Sequence, residues 1–138
     1  MGLALIFAYI SLDELARLHE LTFAPLRRGL NATGPFYFTW VVPGAAIVVV
    51  LFATYLRFLL DLPARTRVQF VFAGAMYVTG ALGMEMVSGV MASGGGGESL
   101  AGSLVSAVEE SLEMLGILVF NYALLRYLAA SRVVVEFR

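Results

Sequence analysis

Val108-Glu109-Glu110-Ser111-Leu112-Glu113-Met114-Leu115-Gly116 places three carboxylates inside a run, residues 100–130, that otherwise reads as a membrane-spanning helix. A carboxylate in hydrocarbon is costly unless it is paired, protonated or bound to a cation, so intramembrane acids mark functional sites. The fold therefore turns on whether this run and its neighbours lie in lipid or in water.

Composition favours lipid. Of the 138 residues, 60% are hydrophobic and 14% charged, with a mean hydropathy of +0.87. Soluble domains average about 45–50% apolar and about 25% charged residues. A single small domain cannot hide that excess, so the expected class is all-α and integral to the membrane. A formal net charge of −1 excludes nucleic acid as a partner, which needs a basic face. The absence of cysteine excludes disulfides, thiolate metal sites and a cysteine nucleophile. Every basic residue is arginine, which leaves no lysine for Schiff-base chemistry, and one histidine rules out a multi-histidine zinc or haem site within this chain. No cleavable signal peptide is expected, because the apolar start lacks a basic leader and runs straight into Asp13 and Glu14.

Crossing hydrocarbon takes about 20 residues of helix. Working outward from the acidic stretch, four runs meet that length, at about 2–24, 36–60, 67–92 and 100–130. They predict one domain over 1–138, a polytopic transmembrane four-helix bundle. The first run ends at Pro25, and the linker 25–34 carries turn formers and two arginines. In the second, Tyr37 and Trp40 are expected to anchor at the interface, and Pro43-Gly44 to kink the helix. Gly74, Gly80, Gly83 and Gly89 give the third run small-residue faces for close packing. The stretch 93–99, SGGGGES, reads as a flexible loop, and the tail 131–138 fits a strand or a helical extension equally well.

Orientation follows from the arginines. Arg57, Arg65, Arg67, Arg126, Arg132 and Arg138 flank one side, against Arg27 and Arg28 on the other. Both termini are therefore expected in the cytoplasm and the glycine loop outside. Counted from the cytoplasmic ends, His19, Glu85 and Glu113 each lie roughly 25 Å deep, with Glu20 and Glu110 within about a turn of that level. Asp13 and Glu14 lie about a turn or two nearer the centre. On the first helix Asp13, Arg17 and Glu20 share a stripe, which makes Asp13 and Arg17 a supporting charge pair. On the fourth, Glu109 and Glu113 are four residues apart, Glu110 and Glu113 three, and Ser106 and Gly116 share their side. Asn121 is placed to hydrogen-bond between helices.

Seven acids (Asp13, Glu14, Glu20, Glu85, Glu109, Glu110 and Glu113) thus face Arg17 and His19. Like charges in a low-dielectric space resist ionising together, so protons or cations must fill the gap. The plainer alternatives are that the fourth helix starts later, leaving Glu109 and Glu110 among headgroups, and that His19-Glu20 is an interfacial helix end. Glu85, in GALGMEM, resists such an explanation because it sits well inside an apolar run. Met84 and Met86 read as packing rather than soft copper ligands.

Two functions follow. Carboxylate-rich helical bundles hold pairs of iron or manganese ions, and the oxygen-rich set Glu85, Glu110 and Glu113, with His19 and Glu20 next and Glu14 and Glu109 as secondary acids, suits iron, manganese, magnesium or calcium. The departure is that Glu-x-x-His is missing. The competing function is a small proton- or cation-coupled transporter using the same acids, dimerising through the glycine-bearing third helix. A third class is an accessory subunit whose acids pair with arginines of a partner chain. Nothing in the sequence decides whether the chain is an enzyme.

SLDELARLHE at 11–20, GALGMEM at 80–86 and EESLEMLG at 109–116 together resemble a family of uncharacterised bacterial polytopic inner-membrane proteins, loosely labelled multidrug transporter-like. The resemblance covers the chain from the first helix through the fourth, and its motifs are matched by Asp13, Glu14, His19, Glu20, Glu85, Glu109, Glu110 and Glu113. It implies a bacterial inner membrane as the location, and a further N-terminal helix in many members. The expectation carried forward is a membrane bundle, in a homo-oligomer or larger membrane complex, with a divalent cation at its acids.

Overall fold

A computed structural model describes residues 2–16, 31–97 and 99–130, and among them every regular element is helical. Helix α1 spans Gly2–Ala16, α2 Val41–Asp61, α3 Ala64–Val78, α4 Glu85–Ser93 and α5 Leu100–Ala130. A π-helical segment, Thr79–Met84, joins α3 to α4 without a break, so the two form one rod. Among the described residues these make four rods, and the all-helical class agrees with expectation. Two of them, Val41–Asp61 and Ala64–Ser93, are long and apolar enough to cross a membrane.

Both are little buried within the chain. Val41 is the one buried residue of α2, while Ile47, Val49, Val50 and Phe52 are all more than half exposed. The same outward display recurs at Leu118 and Leu125 of α5. The apolar core is correspondingly small. Leu62, Phe70 and Ala123 form its centre, with Leu59, Phe120, Leu124 and Tyr127 packed around it. Ring contacts extend it to α1, with Phe120 4.6 Å from Phe70 and 5.1 Å from Phe7.

The chief contact is the antiparallel pairing of the α3 rod with α5. Phe70 meets Phe120 near one end. Further along, a Cβ on Gly116 would lie 2.9 Å from both the Ala73 carbonyl oxygen and the Tyr77 nitrogen. Further still, a Cβ on Gly80 would lie 2.9 Å from the Glu109 carbonyl oxygen and from Glu113 Cγ. The backbones approach so closely because these positions carry no side chain, the device by which helices associate without water-driven burial. Of the four glycines expected to do this, Gly80 and Gly89 do, Gly89 against the Gly34 carbonyl. Gly74 has nothing near it and Gly83 touches only Thr79 of its own rod.

Three local expectations are corrected. The second helix begins at Val41 and not at residue 36, because Gly34, at φ 61°, and Pro35 turn the chain through a short 3-10 helix, Gly34–Phe36. Pro43 does not kink α2: it falls in the first turn, where its missing N–H is not needed, and Gly44 still donates to the Trp40 carbonyl at 2.8 Å. The glycine stretch is not slack. Gly95 takes φ 79°, and Gly96 and Gly95 donate to the Met91 and Ala92 carbonyls, the pattern that closes a helix C-terminus. Ser99 then caps α5, its hydroxyl accepting from Gly102 N–H. The part of the first run beyond Ala16 and the tail 131–138 lie outside the described residues.

These contacts set a test. In Gly116→Ala the new methyl meets backbone on the facing rod, and such overpacking costs about 1–3 kcal/mol. In Gly74→Ala the methyl meets open space, and helix propensity favours it by up to about 1 kcal/mol. Thermal unfolding in detergent should fall for the first variant and hold or rise for the second.

Candidate functional site

Where the α3 rod and α5 pass the Gly80 contact, a cavity of about 300 Å³ opens. Its walls come from every rod except the body of α2. Helix α1 supplies Tyr9 and Asp13, the segment before α2 supplies Phe38 and Trp40, and the α3 rod supplies Tyr77, Glu85 and Ser88. Helix α5 supplies Ser106, Glu109, Glu110 and Glu113. Among the described residues no basic side chain lines it.

The antiparallel register explains the convergence. Gly80 seats against Glu109 and Glu113, so Glu85, just over a turn further along, comes level with the start of the acidic stretch of α5. Residues four apart lie on one helical face, which is why Glu109 and Glu113 both turn inward; Glu110, beside that face, is exposed but still borders the cavity. Helix α5 begins at Leu100, nine residues before Glu109. The helix therefore does not start late, and Glu109 and Glu110 lie within it.

Glu85 follows directly on the π segment. A π turn carries extra backbone relative to an α-helix, and such turns recur at functional sites. Here it fixes the phase of Glu85, which accepts a hydrogen bond from Trp40 Nε1 at 3.1 Å. The Trp40 ring rests on Gly44, 3.0 Å from where a Cβ would stand. Trp40, read from sequence as an interfacial anchor, holds an acid of the cavity. A second polar feature is Ser88, whose hydroxyl oxygen is buried with no hydrogen-bond partner.

Of the expected site residues, Glu85, Glu110, Glu113, Glu109 and Asp13 are brought to one cavity. His19, Glu20 and Arg17 lie outside the described residues, as does the side chain of Glu14. Among the described residues no three acids or histidines are gathered closely enough to hold a metal ion. What the acids share is a space. Asn121, expected to bridge helices, is exposed. Trp40, Tyr77 and Tyr9 were missed as cavity residues, because aromatic residues in an apolar run carry no signal of the direction they face.

The structure thus defines an all-helical protein, with two helices apolar enough to cross a membrane and an acidic cavity among its rods. The chain belongs to the family described as a domain of unknown function, DUF8692, which it matches over residues 1–128. No curated protein and no solved structure matches it.

The Trp40–Glu85 bond makes a prediction with a direct optical readout, since Trp40 is the one tryptophan of the chain. Glu85→Gln keeps an oxygen to accept from the indole, whereas Glu85→Leu removes it at a cost of about 1 kcal/mol or more. Trp40 emission should therefore shift in Glu85→Leu and stay close to that of the parent in Glu85→Gln.

Proposed function

We propose that this chain is an integral membrane protein whose acidic cavity binds cations in exchange for protons, the core of a small proton- or cation-coupled transporter. The observation that carries this reading is the meeting of Asp13, Glu85, Glu109, Glu110 and Glu113 at one cavity. Carboxylates that share such a space resist ionising together, which favours uptake of protons or cations. Because either can fill the gap, one displaces the other, which is the elementary step of coupled transport. Cation occupancy then rises as pH rises, since fewer protons compete for the same oxygens.

In this reading all four rods span a bacterial inner membrane, with the arginine-flanked ends, marked by Arg57, Arg65, Arg67 and Arg126, in the cytoplasm. The chain works in an oligomer or a larger membrane complex, because four spans enclose little of a path. The outward-facing apolar residues of α2 and α5 support the lipid setting. A second reading keeps a resident divalent metal, iron or manganese, at Glu85, Glu110 and Glu113 with His19 and Glu20. It is favoured by the oxygen-rich donor set and opposed by the spacing of the described acids.

Two measurements on the purified full chain test this. Proteoliposomes carrying a pH-sensitive dye should show cation-dependent proton flux that Glu85→Gln or Glu113→Gln reduces at least tenfold. Elemental analysis should find no stoichiometric metal. Metal at one or two equivalents, lost in the same variants, would replace the first reading by the second. Absent flux and absent metal would end both.

A further inference from the structure

Arginine gathers at the end of the molecule away from the acidic cavity. Arg57 lies near the end of α2, Arg65 and Arg67 in the first turn of α3, and Arg126 near the end of α5. Asp61 is the one acid at that end among the described residues. Two of the four arginines are occupied within the chain: Arg67 donates to the Leu60 carbonyl at 3.3 Å and Arg126 to the Tyr122 hydroxyl at 3.5 Å. Arg57 and Arg65 are exposed and make no hydrogen bond or ion pair among the described residues. Arg65 also borders an open groove of about 410 Å³, which Ala64, Val68 and Gln69 of the same helix line with it. That face is turned away from α5. At about 100° per residue, it lies roughly opposite Phe70, Ala73 and Tyr77, which meet Phe120 and Gly116. Its apolar surface continues along the rod from Val68 to Phe72, both more than half exposed.

We infer that this groove holds an anionic phospholipid of the cytoplasmic leaflet, its phosphate on Arg65, a glycerol-ester oxygen on Gln69 and an acyl chain along Val68 and Phe72. The inference rests on the reading in which the α3 rod spans a membrane with its arginine end in the cytoplasm. A guanidinium matches the geometry of a phosphate and is held by it through paired hydrogen bonds. The Gln69 amide stands one turn deeper on the same face, the level at which the esters of a lipid lie below its phosphate. The bias that orients membrane proteins places arginines on this side, but it acts on all four alike. The groove singles out Arg65. A free phosphate would use Arg65 and leave the apolar face beyond it unfilled, whereas a diacyl lipid uses both.

Native mass spectrometry of the full chain in nonionic detergent, titrated with palmitoyl-oleoyl phosphatidylglycerol or the matching phosphatidylcholine, reads the site directly. The anionic lipid should be retained roughly fivefold more tightly, the effect of one basic residue at a membrane surface. Arg65→Gln should remove that preference, and Arg57→Gln, at an equally exposed arginine outside the groove, should keep it. Ala64→Leu, which puts bulk into the groove, should lower retention of both lipids and leave their ratio unchanged. Excess sodium phosphate should leave the bound phosphatidylglycerol in place. Equal losses in Arg65→Gln and Arg57→Gln would reduce the effect to general surface charge and overturn the site. Equal retention of the two lipids by the parent chain would overturn it as well, and displacement by inorganic phosphate would assign Arg65 to a soluble anion instead. Flotation with phosphatidylcholine vesicles after an alkaline carbonate wash tests the membrane reading separately. If flotation persists while the lipid preference fails, this inference alone falls; if flotation fails, both do.

Discussion

The contact between two backbones at Gly80 and Gly116 governs the rest of this molecule. Apolar side chains that face outward give helices little reason to associate when the surroundings are equally apolar, so close van der Waals approach has to supply the attraction. Gly116 lets the backbone of α5 reach Ala73 and Tyr77, and Gly80 lets the α3 rod reach Glu109 and Glu113. One pairing therefore does two things. It joins the principal rods, and it fixes the height at which the acids of α5 stand relative to Glu85. A change of register would uncouple the carboxylates before it exposed any large apolar core, because the core, centred on Leu62, Phe70 and Ala123, is so small.

The π segment and Trp40 complete what the glycine contact begins. An α-helix advances about 100° per residue, so whether Glu85 looks into the cavity or away from it depends on the residues accommodated between Thr79 and Met84. The wide turn there lies beside Gly80, at the point of closest approach to α5. The indole of Trp40, braced on Gly44, then secures the carboxylate that the turn delivers. The 3-10 helix at Gly34–Phe36 and the fit of Gly89 against the Gly34 carbonyl bring the Trp40 segment alongside α4. Positioning one acid thus draws on four glycines and two short turns, none of them chemically reactive.

That dependence explains how far the sequence could be read. Glu85 and Glu113 announced themselves because an acid is costly within an apolar run, and both line the cavity. The helical class followed from composition in the same way. The inward faces of Tyr9, Trp40 and Tyr77 did not show, since an aromatic residue suits lipid, headgroup and cavity alike. Pro43 illustrates a boundary effect: it disrupts a helix interior and is harmless in a first turn, so an error of five residues in the helix start reversed its meaning. The run of glycines at 94–97 misled through composition, which suggests slack, whereas the hydrogen bonds of Gly95 and Gly96 make a tight reversal. The four glycines of the third run look equivalent in sequence, and only the facing helix distinguishes Gly80 and Gly89 from Gly74 and Gly83.

The two ends of the α3–α5 pair differ in a way that bears on access. At the end carrying Arg65, Arg67 and Arg126, Phe70, Phe120 and Ala123 fill the space between rods. Beyond the Gly116–Tyr77 contact the filling stops and the acidic cavity begins. On the transport reading proposed above, a solute entering from the acid end would meet the carboxylates first, then the Tyr77 backbone pressed on Gly116, and then packed rings. The interaction that assembles the site would then also be the barrier beneath it, because Glu109 and Glu113 stand against Gly80, the point at which the two rods are held together.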